Sequence, residues 1–205
     1  MEYRKNDIVT LEIVDCGTDG EGIGKADGFT VFVKDAVIGD IVTAKIMKAK
    51  KNYGYGRLME ILKPSPYRVE PVCPSARQCG GCQLQAVSYE EQKVFKEKKL
   101  RGHLERIGGF RDLPMEPMIG MDEPYHYRNK AQFPVGRNKE GRIITGFYAG
   151  RTHAIIENRD CALGIPQNKE ILDIVIAHME KYGIAPYDEM TGKGLVRHIF
   201  VRYGF

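Results

Sequence analysis

The chain has 205 residues, of which 42% are hydrophobic and 28% charged, the balance of an ordinary globular protein. No run approaches the roughly 18 consecutive apolar residues of a membrane span, and no apolar stretch follows the charged start MEYRKNDIVT, so a membrane protein and a signal peptide are excluded and a cytoplasmic setting is expected. A net charge of +4 is too small by itself to argue a nucleic-acid partner, so the distribution of charge matters more.

Residues 1–62 alternate apolar and polar positions in short runs. Val9, Leu11 and Ile13 form one strand, GTDGEGIGKADG supplies turns, and FTVFV, IVTAKIM and GYGRLMEIL read as further strands. This period of two predicts a small β-barrel of about five strands with an oligonucleotide-binding-like shape. All five charges from Lys45 to Arg57 are positive: Lys45, Lys48, Lys50, Lys51 and Arg57, interleaved with Tyr53 and Tyr55. KPSP at 63–66 breaks the pattern and marks a domain boundary. Residues 63–87 are then a linker carrying a cysteine cluster, and 88–205 an α+β domain.

Ser88 opens a capping box with Glu91, and a helix runs on to Gly108 and Gly109 with Leu100, Leu104 and Ile107 on one face. From 125 to 158 the strand pattern returns, with NKEG and YAGR as turns, predicting an antiparallel meander. Arg128, Lys130, Arg137, Arg142, Arg151 and His153 make that stretch basic. Pro166 starts a second helix in which Ile171, Ile174, Val175, His178 and Tyr182 share a face, and Gly183 stops it. The strand LVRHIFVRYGF runs into the last residue without a capping turn, the pattern of a truncated chain.

Three of the five cysteines, Cys73, Cys79 and Cys82, fall in ten residues with the spacing C-x5-C-x2-C. In a reducing compartment a tight thiol cluster reads as a metal site before it reads as a disulfide framework. Glycines inside Cys79-Gly-Gly-Cys82 let the backbone fold tightly and leave N–H groups free to donate to sulfur. For a fourth ligand the chain offers Cys16, at the end of an apolar strand, and Cys161, in a polar turn; Cys161 is preferred. Four thiolates accept tetrahedral zinc or an iron–sulfur cluster, and one close pair with two outlying ligands favours iron and sulfur. A redox pair at Cys79 and Cys82 is disfavoured, because no strand leads into the first thiol and the helix starts only near Ser88.

The barrel with its basic last hairpin, then PVCPSARQCGGCQLQAVSYEEQKVFKEKKL, YRNKAQFPVG, GFYAGRTHAIIENRDCALG and LVRHIFVRYGF, resembles the N-terminal half of the iron–sulfur-containing RNA (uracil-5-)-methyltransferases. The resemblance implies a TRAM barrel that touches RNA, and a [4Fe-4S] cluster on Cys73, Cys79, Cys82 and Cys161. It implies methyl transfer from S-adenosylmethionine to C5 of uracil in ribosomal or transfer RNA, of which ribosomal RNA is preferred; a monomer with no membrane partner is expected. In such enzymes a cysteine adds at C6 of the extruded base and a general base later removes the C5 proton. The resemblance assigns that chemistry to a Rossmann-like domain absent from this chain, which therefore holds no catalytic or cofactor-binding residue of its own. GEGIGKADG does not meet the G-x-G-x-x-G pattern. What remains is phosphate contact and base stacking by the basic hairpin and the meander. A free-standing RNA-binding module with a structural zinc is the second reading.

Overall fold

Val9, Leu11 and Ile13 turn inward along β1 (Ile8–Cys16) while Ile8, Thr10 and Glu12 face outward, and this alternation organises the N-terminal region. β2 (Gly22–Ala26), β3 (Phe29–Lys34), β4 (Ile41–Ala49) and β5 (Tyr53–Lys63) follow. The five strands close into a barrel in the order β1-β2-β3-β5-β4, with β4 returning to β1. Neighbours are antiparallel except β3 and β5, which run parallel. Val9, Leu11, Ile13, Val31, Val33, Val42 and Ile46 fill the interior. The structure is a computed structural model and describes residues 3–204.

The glycine-rich stretch expected to supply only turns also contributes β2. Gly22 and Gly24 face the interior, where neighbouring backbone leaves no room for a side chain: a Cβ on Gly24 would stand 2.3 Å from the Glu12 carbonyl oxygen. Left-handed backbone in this stretch falls outside β2, at Gly20 and Gly28, both at φ +83°, and at Asp27, at φ +48°.

The chain divides into two compact units that do not follow it linearly. One holds the residues up to Pro71 together with Gln83–Gly120, the other Val72–Cys82 together with the residues from Met121 onward. The helix expected to open the C-terminal domain, α1 (Tyr89–Arg106), thus groups with the barrel. Half of its capping box forms. Ser88 Oγ accepts from the Glu91 N–H, but the Ser88 N–H donates to the Tyr67 carbonyl and so is not left for the Glu91 side chain. No residue of α1 is buried, and Leu100 and Ile107 are exposed.

In the second unit, β6 (Lys130–Arg137), β7 (Ile143–Tyr148), β8 (Ile155–Glu157) and β9 (His198–Arg202) form an antiparallel sheet in the order β8-β7-β6-β9. The meander turns fall where NKEG and YAGR place them. α2 (Gln167–Lys181) packs on this sheet. Its buried face is Asn168, Leu172, Ile176 and Met179, whereas Ile174 and Tyr182 of the expected face are exposed. Apolar residues lie on two adjoining faces of this helix, so periodicity alone leaves its rotation open, and packing on Phe133, Val135 and Ile199 selects one. Gly183, at φ +64°, ends α2: its N–H donates to the Glu180 carbonyl and the Ile184 N–H to the Met179 carbonyl.

Asp40 is fully buried and clamps the end of the barrel. It accepts from the N–H groups of Val37 (2.7 Å) and Ser65 (2.8 Å) and pairs with the Arg68 guanidinium at 2.5 Å. Burial pushes the Asp40 carboxyl up, but Arg68 and the two amides outweigh it and hold it below the ordinary carboxylate range. A carboxyl depressed in the folded state adds stability above its unfolded pKa of about 3.9 and loses it as pH falls through the lower folded value. Arg68→Met should lower unfolding free energy by about 3 kcal/mol in urea titrations, because it strands a buried charge. Asp40→Asn should remove part of the wild-type loss of stability below about pH 4.

Candidate nucleic-acid interface and thiol cluster

In YGYGR the glycines face the barrel interior and the tyrosines face out. A Cβ on Gly56 would stand 3.0 Å from Val31 and 3.2 Å from Ala44, and one on Gly54 3.0 Å from the Phe29 ring. Tyr53 and Tyr55 therefore share the outer face, where the parallel pairing sets Phe32 directly beside Tyr55. The three rings touch, with centroids of Phe32 and Tyr55 5.6 Å apart, and of Tyr53 5.8 Å from each of the others. Register shifts along β4 and β5 carry Lys48 opposite Tyr55, and Lys45 stands opposite Arg57. Lys50 and Lys51 lie at the tip. Among the described residues, no carboxylate pairs with Lys45, Lys48, Lys50, Lys51 or Arg57. Phe32 is the member of this patch that sequence reading missed, because only the β3–β5 pairing brings it there.

The basic residues of the meander separate into different roles. Arg142 pairs with Glu140 at 3.4 Å in its own hairpin turn, and Arg137 Nη1 donates to the Gly141 carbonyl at 2.6 Å. His153 Nδ1 donates to Glu189 at 2.8 Å. Arg151 is exposed at φ +62° in the β7–β8 turn. Lys130 sits 5.8 Å from the centroid of exposed Phe200, and Arg202 6.0 Å from the same ring, so β9 adds an aromatic residue held between two cations. Sequence reading left out Phe200 and Arg202, although the alternation in HIFVR carries them.

Arg128 is exposed, with its guanidinium 6.0 Å from the Tyr127 ring centroid. Its N–H donates to Leu163, and its charge lowers the Cys79 thiol pKa against the stronger upward push of burial, to which Cys161 and Cys73 add. That mutual influence puts Cys79 in the neighbourhood of Cys161 and Cys73. Donors to sulfur are in place: the Gly81 N–H lies 3.3 Å from Cys79 Sγ, and Asn158 Nδ2 3.5 Å from Cys73 Sγ. The CGGC loop lies against the end of β7, with the Gly80 N–H on the Tyr148 carbonyl at 3.0 Å. A Cβ on Gly80 would crowd Gly150 at 3.1 Å. The turn holding Cys161 is closed by Gly164 N–H on the Cys161 carbonyl and braced by His126, whose Nδ1 lies 2.8 Å from the Gly164 carbonyl oxygen.

Asn168, 2% exposed, packs against Gly164 with neither side-chain atom hydrogen-bonded, an orphaned polar group beside this turn. Among the described residues, no three His, Cys, Asp or Glu side chains converge closely enough to hold a metal ion as they stand. Cys16 lies in the other unit, where burial, then Glu21 and Asp15, push its thiol up to about 11.

The barrel can be placed in a family. Residues 4–59 match the TRAM domain family model. The TRAM barrel and the rest of the chain together are 45% identical over 205 residues to an uncharacterized RNA methyltransferase of Clostridium tetani, covering 100% of this chain and 44% of that protein. A second uncharacterized RNA methyltransferase, from Halalkalibacterium halodurans, is 44% identical over 98% of this chain and 44% of its own length. The chain thus spans less than half the length of these curated relatives. Among solved structures, the crystal structure of Pyrococcus abyssi tRNA (uracil-54, C5)-methyltransferase in complex with S-adenosyl-L-homocysteine shares the fold. It superposes with a TM-score of 0.65 at 22% identity, over 95% of this chain and 42% of that one.

Proposed function

We propose that the chain is the RNA-gripping part of an RNA (uracil-5-)-methyltransferase. The observation that carries this reading is the patch of exposed Tyr53 and Tyr55 with half-buried Phe32, set on a TRAM barrel among five cations that, among the described residues, pair with no carboxylate. Clustered surface rings beside lysines suit a single-stranded or looped RNA, whose bases present π-faces and whose phosphates take the cations. The relatives named RNA methyltransferase support the enzyme class. Methyl transfer and binding of S-adenosylmethionine are assigned to the part of those relatives that this chain does not span. Ribosomal RNA, bound by a monomer, is the substrate to test first.

The same proposal makes Cys73, Cys79, Cys82 and Cys161 the ligands of a [4Fe-4S] cluster, with zinc as the second reading. The donor set supports it: four thiols in one unit, N–H donors already aimed at Cys79 and Cys73, and the orphaned Asn168 amide beside the Cys161 turn. Bound there, the group supplies a covalent tie between the CGGC loop and that turn. Small side-chain movements must complete the convergence, as expected where binding and folding are coupled.

Two measurements test the halves separately. By fluorescence anisotropy, Tyr53→Ala with Tyr55→Ala should weaken binding of a looped ribosomal RNA about tenfold or more, at about 1–3 kcal/mol per lost stack. Lys48→Gln with Lys50→Gln should flatten its salt dependence by about 0.7 in slope per lost phosphate contact. An affinity untouched by both pairs would exclude the barrel face. Protein purified without oxygen should carry about four irons and four sulfides per chain, lost in Cys161→Ser and kept in Cys16→Ser. One zinc and no iron would select the second reading, and no metal would remove the site.

A further inference from the structure

The second unit contains a cavity of about 450 Å³ beside the β6–β7 hairpin, a volume within the roughly 300–1,000 Å³ of small-ligand sites. Two flat groups form its walls. Tyr148 and His153 stack with centroids 5.1 Å apart and planes 24° from parallel, and the Arg197 guanidinium lies 5.5 Å from the Tyr187 ring centroid. Glu189 joins the walls: Oε2 accepts from His153 Nδ1 and Oε1 from Arg197 Nη2, each at 2.8 Å. The floor includes Ile144 and Ile155, and Arg137 and Lys139 stand at the rim.

Fold stability does not account for this convergence. His153 and Arg197 are mostly exposed, and ion pairs so exposed contribute little to stability. The geometry points to a site for one unstacked guanine nucleotide, a ligand choice that rests on the RNA-binding reading above. Planar walls of tyrosine, imidazole and guanidinium take a base face. The cationic rim takes a phosphate, since Arg137 uses only one of its five N–H groups on Gly141. Glu189 selects among the bases. An ionised carboxylate has about four lone-pair positions, so each oxygen can accept once more after serving His153 and Arg197. Guanine offers two adjacent donors on one edge, N1–H and the N2 amino group, and adenine, cytosine and uracil offer no such pair. Hydrogen bonds from His153, then Arg197, hold the Glu189 carboxyl below its ordinary range and keep it an acceptor at neutral pH.

The test titrates GMP, AMP, CMP and UMP into the whole chain by NMR. In parallel, anisotropy measures a uridine-rich single-stranded RNA carrying one guanosine and the same RNA without it. GMP should bind at least tenfold tighter than UMP, and the guanosine-containing RNA tighter than its control. Glu189→Gln, at an exposed position, should keep the circular-dichroism spectrum and lose the guanine preference, while Tyr148→Ala should weaken all four nucleotides about tenfold. Equal binding of GMP and UMP, or a preference that survives Glu189→Gln, overturns the inference; if both RNAs still bind, the RNA reading stands without it. Guanine preference with no RNA binding leaves a mononucleotide site, and overturns the RNA reading together with the RNA origin of the ligand.

Discussion

The N-terminal barrel closes because Gly22, Gly24, Gly54 and Gly56, all buried on its inner side, carry no side chain. At Gly24 the facing backbone is within 2.3 Å of where a Cβ would sit, so any other residue would push β2 away from β1. The same constraint fixes the outer face. With glycine at 54 and 56 facing inward, the alternating Tyr53, Tyr55 and Arg57 of β5 are turned to solvent, and the parallel β3–β5 pairing sets Phe32 among them. An aromatic patch that a globular protein would ordinarily bury is thus held outside by the needs of the interior. Close packing on one side of the strand and a stacking surface on the other are one feature of the sequence.

The second unit uses glycine in the same way to bring polar groups together. Gly80 lets the CGGC loop lie against the end of β7, and Gly164 lets the Cys161 turn pack on Asn168. The sheet stays a conventional antiparallel meander with α2 on it, so the chemistry is carried by segments at its margin. Arg128 is exposed, so its charge reaches Cys79 without taking it from the phosphate-binding surface that its sequence neighbourhood implies. Lys130, Phe200 and Arg202 lie in the same sheet.

Local chemistry made much of this legible in the sequence. The strands of strict alternation, the meander turns, the Ser88 cap and the Gly183 stop stand where residue types place them, because each is decided within a few residues. Features decided across the chain were not legible. β2 was hidden because glycine marks a turn in isolation and a close approach only when β1 lies beside it. The rotation of α2 was hidden because two adjoining faces are apolar. The cavity at Glu189 assembles residues from 135 to 197, which no local pattern joins. The cysteine spacing could be read, yet the Asn158 donor to Cys73 and the orphaned Asn168 beside the Cys161 turn could be found only by folding the chain.

On the proposed function, RNA lies on the outer face of the TRAM barrel. The most direct measurement is ultraviolet crosslinking of the chain to a looped ribosomal RNA, followed by peptide mapping in a mass spectrometer. Crosslinks should concentrate on the peptide holding Tyr53 and Tyr55, with a weaker set at Phe200. Efficient crosslinking confined to the opposite side of the barrel, around Val14 and Asp15, would contradict the account.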